Sequence, residues 1–174
     1  MHGYLCPLSA ERHAALEADP AQLFDVLGLR GGAATDVLDL DRAWDALDII
    51  VSRRGADPLL GDAVLARTGE RMRAAGAFGP ALYLPPARVE RIAKALAKLP
   101  ARLVRDRYGE LLGKTVHGGY GQETCAADEI AYIRDKVAEI QRAEIAHLET
   151  AVSKQKAFYA AAAKAGDAVM SLIT

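Results

Sequence analysis

The sequence predicts an α+β fold that is predominantly helical, with a small mixed sheet that includes both terminal strands, and with a long C-terminal helix. Three observations lead to this fold class. A helical pattern free of proline and glycine runs from residue 126 to residue 165. Short strand-forming segments lie at both ends of the chain and at 81–84. Between them, capping residues and prolines mark several short helices.

The N-terminal part predicts one strand and two short helices. Residues 3–8 are rich in strand-forming side chains but contain Pro7, which favours an edge strand because proline lacks the N–H that a ladder needs. Ser9 precedes an apolar-periodic segment and is a good N-cap. Pro20 then opens a second helix over 21–27.

The segment 38–51 carries the only tryptophan of the chain and its densest run of carboxylates. Asp39 or Asp41 is expected to cap a helix that runs to about Arg53. One face of this helix is apolar and is predicted to face the core through Trp44, Leu47 and Val51. The segment therefore combines a core-facing stripe with an acidic face.

The middle of the chain alternates irregular and regular segments. Residues 55–80 are rich in glycine and contain two prolines, so we expect irregular structure around a short apolar piece at 63–66. A strand is predicted at 81–84, and a helix begins near Pro86 and ends at Pro100. A short helix at 103–108 and a glycine-rich loop at 109–121 follow.

The C-terminal part predicts a long helix and a final strand. The apolar stripe of the helix at 126–165 changes face between Ile140 and Ile145. The helix is therefore either broken or bent near 142–144, or covered on two sides. Residues 167–174, which follow Gly166, are mostly apolar and predict a terminal strand.

Composition limits the class of protein. With 174 residues, 51% of them apolar, and a net charge of −1, the chain is expected to form one domain over 1–174. The two cysteines form no disulfide framework, and the N-terminus is not a signal peptide, so a cytoplasmic location is expected. We expect no membrane insertion, and the near-neutral charge makes nucleic acid an unlikely partner.

Four groups of residues, in this order, resemble the YfbM-like family of small bacterial proteins. They are Tyr4-Leu5, the segment from Leu38 to Leu47 around Trp44, Gly79-Pro80-Ala81 with Tyr83-Leu84, and Phe158-Tyr159 with Gly166 to Val169. The resemblance spans nearly the whole chain and implies the fold of that family, whose domain has no established function. Family members often carry histidine directly after the tryptophan, where this chain has Asp45.

Two groups of residues are candidates for binding a ligand or a partner. Asp41, Asp45 and Asp48 have helical spacing and would share one face, able to meet a cation or a basic partner. His117 and Tyr120 lie in the glycine-rich loop, which lacks the ending of a phosphate-binding loop. A pairing of His117 with Cys125 is a weaker alternative. We predict no metal site, no cofactor and no catalytic residue.

Charge is distributed unevenly along the chain. Residues 88–107 carry a net charge of +5, and residues 36–62 carry a net charge of −4. The basic segment either forms a solvated helix face or matches the acidic segment within the molecule. The alternative, contact with RNA or an acidic protein, lacks the interleaved aromatic side chains that stack on bases.

Two hypotheses about function follow. The first is a non-enzymatic protein-binding module, for example a toxin-neutralising protein of the immunity type, whose partner is another protein. The alternative is a small-ligand-binding protein or enzyme with a pocket near the acidic helix and the glycine-rich loop. Whether the chain has any enzymatic activity stays uncertain, with a non-enzymatic role favoured. Its oligomeric state is either monomer or homodimer.

Overall fold

The computed structural model confirms an α+β fold with a long C-terminal helix. It describes residues 2–27, 36–76, 78–112, 116, 120–121 and 131–174, with only the backbone described for 131–135. The strands are β1 Gly3–Leu8, β2 Leu38–Asp39, β3 Glu70–Gly76, β4 Gly79–Leu84 and β5 Ala168–Ile173. The helices are α1 Ala10–Ala18, α2 Leu23–Val26, α3 Trp44–Leu47, α4 Pro58–Leu65, α5 Pro86–Ala97, α6 Leu103–Arg107 and α7 Ala131–Ala165.

The five strands form one sheet in the order β2-β1-β5-β4-β3. Both terminal strands belong to it, as predicted, and they pair with each other from Gly3 opposite Ile173 to Leu8 opposite Ala168. The expected mixed sheet is corrected in one respect, since every pairing between these strands is antiparallel. The N-terminal and C-terminal strands thus lie side by side near the middle of the sheet.

The sheet has a hydrophobic core on each face because successive side chains of a strand point to opposite sides. Cys6 and Met170 pack on the first face against residues of α1 and α2. Leu5 and Val169 pack on the second face against residues of α3 to α7. The second face carries the larger core, and it also carries the candidate site described below.

The N-terminal elements agree with the sequence, with one correction. The Ser9 side chain accepts a hydrogen bond from the Arg12 N–H and caps α1. The strand that contains Pro7 was expected at an edge, but β1 lies between β2 and β5. Proline is tolerated there because β2 pairs only with Tyr4 and Leu5, so no strand pairs with Pro7 on that side within the described residues.

The tryptophan segment is helical from Asp41 to Ser52, but its winding changes twice. A 3₁₀ turn at Asp41–Ala43 leads into α3, and a π-helical turn follows at Asp48–Ser52. The expected cap by Asp39 or Asp41 is wrong, because the N-cap of the 3₁₀ turn is Leu40, which makes no side-chain cap bond. Asp39 lies one residue before this N-cap and accepts a hydrogen bond from the Asp41 N–H at 2.6 Å. Leu47 and Val51 are buried as predicted, and Trp44 is partly buried.

The prediction of irregular structure over 55–80 is wrong. Helix α4 begins at Pro58, and its N-cap is Asp57, whose side chain accepts two backbone N–H bonds. Strand β3 follows, with Met72 and Ala74 buried on one side. Helix α4 and strand β3 were missed in the sequence because glycine and short side chains in this segment are typical of loops. Pro58 directly after Asp57 is nevertheless a normal helix start, since proline is favoured at the first helical position.

Helix α7 is continuous from Ala131 to Ala165, so the break near 142–144 that the stripe allowed is not found. Side chains 136–147 are exposed or partly buried, and full burial begins at Leu148. The change of face therefore reflects a helix whose residues 136–147 lie at the surface. Part of the predicted helix, 126–130, lies outside the described residues.

Candidate functional site

The three aspartates expected on one helix face lie in three environments. Asp41 is exposed, Asp45 lies 3.8 Å from the guanidinium of Arg54, and Asp48 is buried with 1% of its side chain exposed. The common face follows from the spacing of a regular α-helix. The 3₁₀ turn at Asp41–Ala43 and the π-helical turn at Asp48–Ser52 have a different number of residues per turn, so the three carboxylates do not share a face.

Asp41 and Tyr120 lie on the same side of the molecule. The imidazole Nδ1 of His2 is 3.5 Å from an Asp41 carboxylate oxygen, and the ring of Tyr120 stacks on that of His147 at 6.0 Å. Burial raises the pKa of Tyr120, and the charges of Asp41 and Glu144 raise it further. His117 lies outside the described residues, as does Cys125.

This acidic side of the molecule offers little room for a ligand. A pocket of about 80 Å³ lies between Asp41, His147 and Lys154. Pockets that hold drug-sized ligands usually measure about 300–1,000 Å³. The depression beside the acidic helix is therefore too small for a ligand of that size, and most of the glycine-rich loop that was expected to complete the pocket lies outside the described residues.

Asp48, by contrast, holds an arginine in place. Its Oδ1 accepts a hydrogen bond from the Ser52 hydroxyl at 2.7 Å, and its Oδ2 accepts one from Nη2 of Arg67 at 2.5 Å. A buried carboxylate needs such partners because its transfer out of water is costly. The Arg67 side chain is 42% exposed, so this ion pair connects a buried carboxylate with a guanidinium at the surface.

Two glycines make room for the Arg67 side chain. A Cβ placed on Gly55 would lie 3.2 Å from Cδ of Arg67, and one placed on Gly61 would lie 3.3 Å from the same atom. Gly55 also has a φ of +84°, a conformation that side chains with a Cβ rarely adopt. The stem of Arg67 is thus confined between two glycines while its guanidinium reaches Asp48.

Arg67 lines a groove of about 400 Å³ at one end of the second sheet face. We call it the arginine groove and define it by Leu65, Arg67, Arg71, Phe78, Leu82 and Ile173. Along this face, Leu84 and Val169 are buried beneath the helices, whereas Leu82 and Ile173 are only partly buried. The helices therefore cover one end of the sheet and leave the other end open.

The groove combines positive charge with apolar surface. Its described lining residues include two arginines and no carboxylate. Arginine stays protonated in proteins, and no ion pair of Arg71 occurs within the described part of the chain. Phe78 is 61% exposed, an unusual position for a large aromatic side chain. Such a surface suits an anionic partner that also has apolar groups.

Sequence reasoning missed this groove because most of its residues come from the segment predicted to be irregular. The alternation around Met72, in which polar side chains at 71 and 73 flank a buried one, is a strand signal that could have placed Arg71 on an outer face. The contact of Arg67 with Asp48, nineteen residues earlier, has no local signal.

The basic segment 88–107 contacts the acidic segment at two points, one of which joins opposite charges. Arg88 binds the buried carboxylate of Asp62, and Arg107 donates to the carbonyl oxygen of Ile50 at 2.6 Å. The Arg88–Asp62 ion pair agrees with the intramolecular match that the charge distribution suggested, whereas Arg107 binds a neutral backbone carbonyl. The two arginines thus help to hold α5 and α6 against the acidic segment.

The described residues form neither a metal-binding cluster nor a membrane-spanning helix. No group of three or more His, Cys, Asp and Glu side chains in the described ranges could hold a metal ion. No helix in the part of the chain that the structure describes has the length and apolarity required to cross a membrane.

Comparison with known proteins identifies a family. The model of a domain of unknown function, DUF1877, matches residues 1–172. A crystal structure of a protein of unknown function, YfbM from Escherichia coli, superposes with a TM-score of 0.62 at 16% identity, and the match covers 100% of both chains. No curated protein matches the sequence. The resemblance to the YfbM-like family, and the fold that it implied, are confirmed.

Proposed function

The chain belongs to the DUF1877 family, and from that premise we propose that it is a non-enzymatic, cytoplasmic protein-binding module. Its docking surface is the arginine groove, and the occupant is an acidic, partly apolar segment of another protein. The observation that carries this proposal is the open end of the sheet, where Phe78 and two arginines surround an uncovered apolar floor.

The composition of the groove favours a protein partner. Aromatic side chains and arginines are enriched at protein interfaces and dominate their binding energy. Arg71 provides charge complementarity for an acidic segment, which steers association and selects the partner. The charge of Arg67 is balanced by Asp48, but its guanidinium still offers N–H donors. Arginine is also unsuited to proton transfer near neutral pH because it does not lose its proton.

The second candidate is a small-ligand-binding protein or an enzyme, and the size of the groove favours it. A volume of about 400 Å³ lies within the range of ligand pockets. This candidate predicts that a metabolite stabilises the protein by mass action, whereas a docking module needs a macromolecular partner. A thermal-shift screen of anionic metabolites separates the two.

A toxin-neutralising, immunity-type protein is one concrete form of the proposal. In that form the partner is a toxin whose acidic segment occupies the arginine groove. Production of the partner alone would then arrest growth, and production together with this chain would restore it. The variant Arg71→Glu should fail to restore growth because it reverses the charge that receives the acidic segment.

The experiment that tests the docking surface is site-directed photo-crosslinking in cells. Phe78 is replaced by p-benzoylphenylalanine, and the same residue is placed at Leu112 in a control protein. Leu112 is a matched control because Phe78 and Leu112 are the large apolar side chains that stand exposed in the described part of the chain, at 61% and 40%.

We expect a discrete cross-linked partner from position 78 and not from position 112. The product should disappear in Arg71→Glu and persist in Arg91→Glu, which changes an exposed arginine on α5. Equal cross-linking from both positions would contradict the proposal, as would a product that is indifferent to Arg71.

A further inference from the structure

We infer that the arginine groove recognises one particular feature of its occupant, an acidic side chain flanked by apolar residues in an extended segment, and that Arg67 is the residue that binds this carboxylate. The inference rests on the proposed function and deepens it, because it names the chemistry of the bound segment. It is argued from the way in which the molecule holds Arg67.

The guanidinium of Arg67 is held by the buried Asp48 on the side that faces the protein interior. Asp48 accepts one of its N–H bonds, and Asp48 is itself held by the Ser52 hydroxyl, which also accepts the Gly55 N–H at 2.9 Å. Arginine has five N–H donors in a rigid fork, so one bond to Asp48 leaves others for a second acceptor. The second acceptor must come from the exposed side, which is the groove.

The stem of Arg67 is fixed as well. Cδ lies close to both Gly55 and Gly61, so neither glycine can gain a side chain without displacing the arginine. A flexible arginine loses about 2 kcal/mol of rotamer freedom when it is immobilised on binding. Here folding has already confined the side chain, and this preorganisation favours the binding of an incoming carboxylate.

The floor of the groove determines what must surround that carboxylate. Leu65, Leu82 and Ile173 offer apolar surface beside Arg67, and Phe78 stands at the margin. A small inorganic anion would leave this surface uncovered. An extended segment with apolar residues on both sides of an acidic one covers it and brings the carboxylate to the guanidinium, where paired N–H bonds form.

The probe that tests the inference is a pair of blocked peptides, acetyl-Leu-Glu-Leu-amide and acetyl-Leu-Gln-Leu-amide, with acetate as a third ligand. Binding to the full-length protein is followed by NMR, using the backbone amides of β4 and β5 and the side-chain Nε–H of Arg67. The peptides differ in one charge and share their shape. Acetate carries the charge without the apolar flanks.

We expect the Glu peptide to shift the Arg67 Nε–H and the groove amides, and to bind about tenfold more tightly than the Gln peptide, as loss of a charge-assisted hydrogen bond implies. Acetate should bind more weakly still. The variant Arg67→Lys keeps the charge opposite Asp48 but loses the fork, and it should abolish most of the preference for Glu over Gln.

Arg71→Gln is the second variant, chosen because Arg71 has no role in holding Asp48. It should weaken the Glu peptide somewhat more than the Gln peptide because it removes a positive charge, but most of the preference for Glu should persist. Equal binding of the Glu and Gln peptides overturns the inference but leaves the docking surface intact, since that is judged by cross-linking at Phe78. Binding of acetate as tight as that of the Glu peptide, or no response of the groove to either peptide, also overturns it.

Discussion

We expect two buried aspartates to respond differently to replacement by asparagine, because different donors surround the two carboxylates. Asp62 on α4 is fully buried and accepts hydrogen bonds on both oxygens. Asp48 is buried as well, but its partners are the hydroxyl of Ser52 and the exposed Arg67. We compare Asp62→Asn with Asp48→Asn.

Asparagine cannot satisfy the environment of Asp62. Oδ1 accepts the Thr68 N–H at 2.7 Å, while Oδ2 accepts the Thr68 hydroxyl at 2.7 Å and the guanidinium of Arg88 at 2.5 to 2.7 Å. An asparagine amide has one oxygen and one NH₂ group. In one orientation the NH₂ group faces the Thr68 N–H, and in the other it faces the Arg88 guanidinium, so in both cases two hydrogen-bond donors oppose each other.

Asparagine can satisfy the environment of Asp48. Its oxygen can accept from Arg67, and its NH₂ group can donate to the Ser52 hydroxyl, whose own hydrogen then turns to the backbone oxygen of residue 48, already 2.7 Å away. The lost charge costs less here because Arg67 is 42% exposed and can be solvated.

We expect Asp62→Asn to lower the free energy of unfolding by about 3–5 kcal/mol, the usual cost of breaking a buried ion pair. Asp48→Asn should lower it by about 1 kcal/mol, the net value of one hydrogen bond. For a chain of this length, each kcal/mol corresponds to about 2–4 °C in melting temperature. Urea denaturation followed by Trp44 fluorescence measures both.

Arg91→Met provides the control because Arg91 is exposed on the helix that carries Arg88. It should change the free energy of unfolding by less than about 0.5 kcal/mol. Equal costs for Asp62→Asn and Asp48→Asn would refute the argument from hydrogen-bond satisfaction. A cost below about 1 kcal/mol for Asp62→Asn would also refute it.

Two further predictions concern packing and a thiol. Gly3→Ala would place a Cβ 2.9 Å from Cβ of Trp44 and should lower the free energy of unfolding by about 1–3 kcal/mol. Gly109→Ala is the control and should be tolerated, because a Cβ there meets no atom within 4 Å. Similar losses of stability for the two variants in urea denaturation would contradict this prediction. Burial raises the pKa of the Cys6 thiol to about 12, so little reactive thiolate is present at pH 8. Mass spectrometry should therefore find Cys6 unalkylated after treatment of the folded protein with iodoacetamide at pH 8. Fast alkylation of the folded protein would contradict the burial of Cys6. Because the folded state holds this proton more tightly than the unfolded state, Cys6 contributes stability that is complete below pH 9 and is lost as the pH rises towards 12.

The sequence predicted those parts of the fold that local patterns specify. The Ser9 cap, the strand at 81–84 and the helix from Pro86 each depend on a few neighbouring residues, and the structure confirms them. The helix after Asp57 was missed because Pro58 and Gly61 in sequence suggested a loop. Gly61 is required for another reason, the close approach of Arg67.

The candidate site was harder to predict because it depends on contacts between distant segments. The spacing of Asp41, Asp45 and Asp48 assumed a regular α-helix, and the π-helical turn that begins at Asp48 directs this carboxylate inward to Arg67 instead. The arginine groove joins residues 65–82 to the C-terminal strand, whose Ile173 lies about ninety residues away in sequence. No pattern of neighbouring residues in the sequence indicates that residues 65–82 lie beside the C-terminal strand.

The central claim, that the arginine groove is a protein-docking surface, is tested most directly by isothermal titration calorimetry with the partner that cross-links at position 78. Phe78→Ala should weaken binding about thirtyfold or more, since an exposed aromatic side chain that becomes buried in an interface is a typical hot spot. Leu112→Ala should leave the affinity unchanged. Equal effects of the two substitutions, or an unchanged affinity in Phe78→Ala, would contradict the claim.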